Sequence, residues 1–131
     1  MSRALNDLST RFRPVAFEFL ARLTEAQIPC LIVDTSRTIG EHEANLLKGV
    51  SWTKLSKHLD GAIYRNSPPG SDAMDVVPYL IFQLHGADKL QWDASDPVWQ
   101  RIGPIGEQLG LRWGGRWQAK LDLSHFEFVV R

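Results

Sequence analysis

The chain has 131 residues, 44% of them apolar and 23% charged, which is the composition of one globular unit. Fifteen basic residues balance fifteen acidic ones, and that argues against a dedicated nucleic-acid binder. A single cysteine, Cys30, excludes an internal disulfide framework and an all-cysteine zinc site, leaving four histidines for any mixed His/carboxylate site.

The first stretch is broken by Arg3, Asp7, Arg11, Arg13, Glu18 and Arg22, so it lacks the apolar core of a signal peptide. Leu8, Phe12, Val15, Phe19, Leu23 and Ala26 recur at spacings of three and four, one face of an amphipathic helix. Pro14 suits its first turn and Pro29 closes it. Cys30–Val33 reads as a short buried strand, and Cys30 as core. Residues 41–48 predict a second helix stopped by Gly49, with His42 solvated on it. Residues 58–79 read as two extended pieces around the turn Asn66-Ser67-Pro68-Pro69-Gly70-Ser71. Asp96-Pro97 caps a third helix with Val98, Ile102, Ile105 and Leu109 inward, a kink or break at Gly103-Pro104, and a stop at Gly110. Trp92 and Trp99 are read as packing residues, and His85 as structural. Phe126–Val130 ends the chain as a strand. The elements predict an α+β fold, a small antiparallel sheet with helices packed against it.

Two histidines and a carboxylate can hold tetrahedral zinc with a fourth position left for water. A nearby carboxylate that does not bind the metal can move the proton of an attacking water to a leaving amine. His58, Asp75 and His125 are candidates for the ligands, and Asp122, three residues before His125, for the base. Taken singly, each His–Asp pair is more often structural, and the spacing is not the compact helical H-E-x-x-H.

The words around these residues decide more. Ser56-x-His58-x-x-Gly61, Ala73-Met74-Asp75, and Asp122-x-x-His125-Phe126 resemble the two motifs of the zinc peptidases with the hedgehog/D-alanyl-D-alanine peptidase fold. Trp113-Gly114-Gly115-Arg116-Trp117 and the stretch from Asp96 to Gly103 resemble the phage L-alanyl-D-glutamate endopeptidases, and Ser36-Arg37-Thr38 resembles their upstream substrate loop. The resemblance covers about residues 10–130. It implies one zinc on His58, Asp75 and His125, Asp122 as general base and then acid, Arg37 as a clamp for a substrate carboxylate, and Ser56 beside ligand or substrate. At the motif's usual spacing from His58 stands Arg65, which cannot bind zinc. Asp75 lies ten residues further on, as if an extended hairpin were inserted at the cleft mouth, and Asp72 and Asp60 remain alternative ligands. Trp113 and Trp117 would shape the metal cleft or pack beside it, and Glu127 would orient a ligand histidine or be plain surface.

The expectation is therefore a zinc metallopeptidase, residues 1–131 forming one catalytic domain without a separate wall-binding unit. Its substrate would be the peptidoglycan stem peptide, cut between L-alanine and D-glutamate in phage-driven host lysis. A monomer without nucleic-acid or membrane partners is expected, made in the host cytoplasm and reaching the wall by holin-type release. The alternatives are a D-alanyl-D-alanine carboxypeptidase or dipeptidase of the same fold, a non-enzymatic zinc-binding module, and a metal-free muramidase. The last needs a carboxylate pair across a sugar cleft that the sequence does not display.

Overall fold

The computed structural model describes residues 2–48, 56–79 and 89–130. His85 and the expected Gly49 stop lie outside the described residues.

Helix α1, Arg13–Glu25, carries Pro14 in its first turn, where a missing N–H breaks no helical bond. Its buried face is Ala16, Phe19 and Leu23. Leu8 and Phe12 are fully buried but lie ahead of the helix, Leu8 just past a 3-10 turn at Leu5–Asp7.

Strand β1, Cys30–Asp34, pairs antiparallel with β2, Ala73–Pro78. Strand β3, Arg112–Trp113, pairs with β4, His125–Glu127, which pairs in turn with β2. The sheet order is β1-β2-β4-β3. Two expectations change here. The strand at Cys30 is an edge strand with Leu31 46% exposed, because β2 covers only one of its sides. The C-terminal strand covers His125–Glu127 and lies inside the sheet. Cys30 is partly buried against the core, and burial pushes its thiol up to about 12, which removes it as a thiolate ligand or nucleophile.

Helix α2, Ile39–Leu47, opens on a capping box in which Thr38 and Glu41 satisfy each other's backbone amides. His42, expected in solvent, is buried on this helix.

The segment after His58 departs most from expectation. In place of an extended hairpin, a one-turn helix α3, Gly61–Tyr64, is capped by Asp60, whose Oδ1 accepts from the Ala62 and Ile63 amides. Asp60 Oδ2 accepts from the Gly70 amide at 3.1 Å, closing the excursion at its base. Pro68-Pro69 supplies no N–H donors for a strand ladder, whereas Asp60 offers a ready helix cap.

Helix α4, Trp99–Gln108, begins after a turn in which Asp96 Oδ1 accepts from the Val98 amide at 2.9 Å. Trp99, Ile102, Gly103 and Gly106 form its buried face, and the helix continues through Pro104 without the expected break. Gly103 is explained by packing: a Cβ there would lie 2.3 Å from the Trp113 ring. Trp92, expected to pack, is 52% exposed, while Trp99 and Trp113 are buried.

Alternation along the strands gives the sheet two unlike faces. Met74, Phe126 and Trp113 sit on the face covered by α1 and α4, with the Phe19 and Phe126 rings 4.6 Å apart. The opposite face collects Asp34, Asp75, His125, Glu127 and Arg112, through the register pairs Asp34↔Asp75, Asp75↔His125 and Arg112↔Glu127. A register shift between Ile32 and Asp34 brings Asp34 opposite Asp75.

Candidate metal centre

His58 sits in the turn before α3. Ser56 Oγ accepts from the His58 amide at 3.2 Å, and the Arg37 amide donates to the His58 carbonyl at 3.0 Å. The imidazole is buried and its Nδ1 faces the Thr35 carbonyl at 3.3 Å. A carbonyl only accepts, so Nδ1 carries the proton and Nε2 keeps its lone pair. That lone pair points to Asp75, 3.5 Å from Oδ1.

His125 is arranged the same way with its nitrogens exchanged. Nε2 faces Glu127 Oε1 at 2.8 Å, and Nδ1 lies 3.6 Å from Asp75 Oδ1. Ligand atoms of His58, Asp75 and His125 all lie within 4.8 Å of one another. His58 Nε2 and Asp75 Oδ1 are buried and have no hydrogen-bond partner. Orphaned buried acceptors are costly unless something else satisfies them, and a cation at their meeting point does so. The donor set, two nitrogens and a carboxylate, suits zinc.

The electrostatics agree. Burial pushes the Asp75 carboxyl up, but the two imidazoles beside it, His58 first and then His125, outweigh it and hold Asp75 well below the usual carboxylate range. Burial lowers His125, yet Asp75, Glu127 and Asp122 together raise it to about 9. Glu127 is raised by burial and brought down to about 2 by His125 and Lys57.

Asp122 stands at the rim, its side chain 44% exposed and Oδ2 4.0 Å from His125 Nδ1. Burial, then the charge of Asp75, raises its pKa above the ordinary carboxylate value. The Trp113–Trp117 segment places it. The Asp122 amide donates to the Gly114 carbonyl at 3.1 Å, and a Cβ at Gly114 would meet the Asp122 carbonyl at 2.3 Å. Trp117 lies against the metal cluster, its ring 4.9 Å from that of His125. A cavity of about 190 Å³ next to Asp122 is lined by Trp92, Ala94, Trp99, Leu121 and Leu123.

Arg37 approaches from the loop after β1. Its Nε donates to Asp34 Oδ2 at 2.7 Å, and a terminal nitrogen lies 3.7 Å from Asp75 Oδ2. The two alternative ligands are engaged elsewhere. Asp60 caps α3, and Asp72 is buried in a cluster with Ser9, Arg11 and Arg65. Asp34 is a site neighbour that sequence reasoning missed. Its i,i+3 relation to Arg37 was the available signal, hidden because it reads as the end of an apolar strand.

This layout can be set against known proteins. Residues 70–128 match a peptidase M15 family model described as D-alanyl-D-alanine carboxypeptidase. The match spans 59 of the 131 residues and takes in Asp75, Asp122 and His125. By structure the chain is similar to the L-Ala D-Glu endopeptidase ChiX of Serratia marcescens, with a TM-score of 0.69 and 20% identity over 95% of this chain and 83% of that chain. That likeness shows a shared fold. No curated protein sequence matches. Peptidases of family M15 depend on zinc, and His58, Asp75 and His125 are the described residues that fit the ion. Among the described residues, no helix is long and apolar enough to cross a membrane.

Proposed function

We propose that this chain is a zinc peptidase of family M15, a phage endolysin that hydrolyses the L-alanyl-D-glutamate bond of the peptidoglycan stem peptide. The observation that carries the reading is the convergence of His58 Nε2, His125 Nδ1 and Asp75 Oδ1 beside a carboxylate, Asp122, that is not in the cluster. Support for the bond comes from the fold shared with an L-Ala D-Glu endopeptidase and from the Trp113–Trp117 segment. Support for the endolysin role is the resemblance of that segment to phage members.

In this reading His58, Asp75 and His125 hold zinc, which acts as a Lewis acid toward the scissile carbonyl and an acidifier of water. Asp122 takes a proton from the attacking water as its oxygen bonds to the carbonyl carbon. The same carboxyl then gives the proton to the amine nitrogen as the C–N bond breaks, leaving a carboxylate and a free amine. A carboxyl whose pKa is raised is matched to both halves of that transfer. Arg37, held by Asp34, presents its guanidinium at the edge of the cluster, where a substrate carboxylate can pair with it. Ser56 acts through His58, by fixing the turn that bears it.

A second reading is removal of terminal D-alanine, favoured by the description of the matching family model. Digestion of purified Gram-negative peptidoglycan by the zinc-loaded protein, followed by mass spectrometry, separates the two. New N-terminal D-glutamate supports the endopeptidase, and loss of terminal D-alanine alone supports the second reading. Lysis of permeabilised cells tests the endolysin role, and activity that survives full chelation would overturn the zinc mechanism.

A further inference from the structure

We propose that Glu127, anchored by Lys57, is a positioning residue that presets His125 for metal binding. The inference rests on the metal-centre reading and extends it to two residues that do not touch the ion.

Phe126 turns into the core, so His125 and Glu127 share the opposite face of β4. Glu127 is 7% exposed, and a carboxylate at that depth has to be paired. Each of its oxygens has its own partner. Oε1 faces His125 Nε2 at 2.8 Å, and Oε2 meets Lys57 Nζ at 2.9 Å, with Arg112 further off at 3.6 Å on an exposed side chain. An ionised carboxylate only accepts, so the proton of a neutral His125 stays on Nε2. The lone pair is then on Nδ1, the nitrogen beside Asp75 Oδ1. The Trp117 and His58 rings pack against the imidazole, but Glu127 is the contact that fixes which nitrogen carries the proton.

Lys57 adds a second effect. It directly precedes His58, and its ammonium also donates to the Phe128 carbonyl at 3.0 Å. Its own carbonyl accepts from the Asp72 amide and from Ser71 Oγ, just ahead of β2. One residue therefore ties the His58 turn to the strands that carry Asp75 and His125. The three ligands come from distant parts of the chain, and the Lys57–Glu127 pair holds two of those parts in register before any ion arrives. Outer partners of this kind typically change metal affinity by about 10- to 100-fold.

The test measures zinc affinity by competition with a fluorescent chelator, alongside the melting temperature of the metal-free protein. Glu127→Ala is expected to weaken zinc about 10- to 100-fold. Glu127→Gln, whose amide oxygen can still accept from Nε2, is expected to lose less, and Lys57→Met to lose a smaller amount than Glu127→Ala. Ring nitrogen NMR of zinc-loaded wild type is expected to show Nδ1 ligation with the proton on Nε2. If Glu127→Ala fails to fold, the Gln and Met variants decide. Wild-type zinc affinity in the variants, with only the melting temperature lowered, would reduce Glu127 to a structural ion pair and overturn the proposal. Failure of wild type to take up one zinc would instead overturn the metal-centre reading.

Discussion

Asp122 Oδ2 lies 4.0 Å from His125 Nδ1, close enough to act beside the metal cluster and too loosely placed to belong to it. Its backbone is anchored by donation of the Asp122 amide to the Gly114 carbonyl, and the carboxyl accepts from Ser124 Oγ at 3.4 Å. Replacing Asp122 with Asn keeps the backbone contact and removes only the proton acceptor. The expected result is a fall in kcat of roughly 10²- to 10⁴-fold, with zinc stoichiometry unchanged. Steady-state kinetics on a muropeptide, with metal analysis of the same sample, checks it. Asp122→Asn with wild-type turnover would remove Asp122 from the mechanism.

The raised pKa of His125 gives a proton-linked prediction. Without a cation, His125 titrates near 9 instead of its ordinary 6.5, so it is charged at neutral pH. Zinc needs the neutral imidazole, so binding at pH 7 must release that proton. Calorimetry in buffers of different ionisation enthalpy is expected to show the release, and zinc affinity is expected to strengthen as pH rises toward 9. Stability of the metal-free protein runs the other way. A pKa raised by folding stabilises fully below about 6.5, and that contribution is lost as pH climbs through about 9. The melting temperature of the metal-free protein is expected to fall over that interval, and a flat profile would contradict the charge balance at the site.

Much of the site was legible because its chemistry sits in short words. His58, Asp75, Asp122 and His125 each stand inside a motif, and the fold brings His58 from its turn to Asp75 and His125 on the sheet. Less was legible between His58 and Asp75. Proline, glycine and asparagine signal a turn without saying what flanks it, and the contacts of Asp60 and Arg65 that close the excursion are side-chain bonds to backbone five to ten residues away. Periodicity located α1 and α4; α4 runs through Gly103-Pro104 without a break, and its glycine lets the helix approach a tryptophan. Trp92 and His42 were misplaced because a lone aromatic or histidine carries no period from which burial can be read.

Asp72 is a structural carboxylate three residues from the proposed ligand Asp75. It is buried with Ser9 Oγ at 2.5 Å, Arg11 at 2.8 Å and Arg65 at 3.2 Å. Burial works to raise its pKa, but these hydrogen bonds and charges win and lower it. A depressed carboxylate stabilises above its unfolded pKa and is lost as pH falls through the folded one. Asp72→Asn leaves Arg65 buried without its counter-charge, so a loss of about 3 kcal/mol is expected, with a flatter acid limb in urea titrations. Zinc uptake is expected to remain at one ion per chain, whereas Asp75→Asn is expected to abolish tight uptake. The opposite pattern would make Asp72 the ligand.

Gly103 tests the support beneath the site. A methyl at this position would sit 2.3 Å from Cε3 of Trp113, whose indole is itself fixed by donation to the Leu123 carbonyl at 2.7 Å. The ring cannot swing aside without breaking that bond, and Trp113 also stacks on Phe126, the residue between His125 and Glu127. Alanine is the better helix former by about 1 kcal/mol, so propensity alone predicts that Gly103→Ala stabilises the protein. Overpacking costs about 1–3 kcal/mol and is here imposed by ring atoms rather than by the end of a flexible chain. The clash is expected to win, giving net destabilisation in urea unfolding. Because the displaced indole bears on β4, zinc affinity is expected to fall with it. An unchanged or raised midpoint would show that α4 can lift off the sheet without disturbing the metal face.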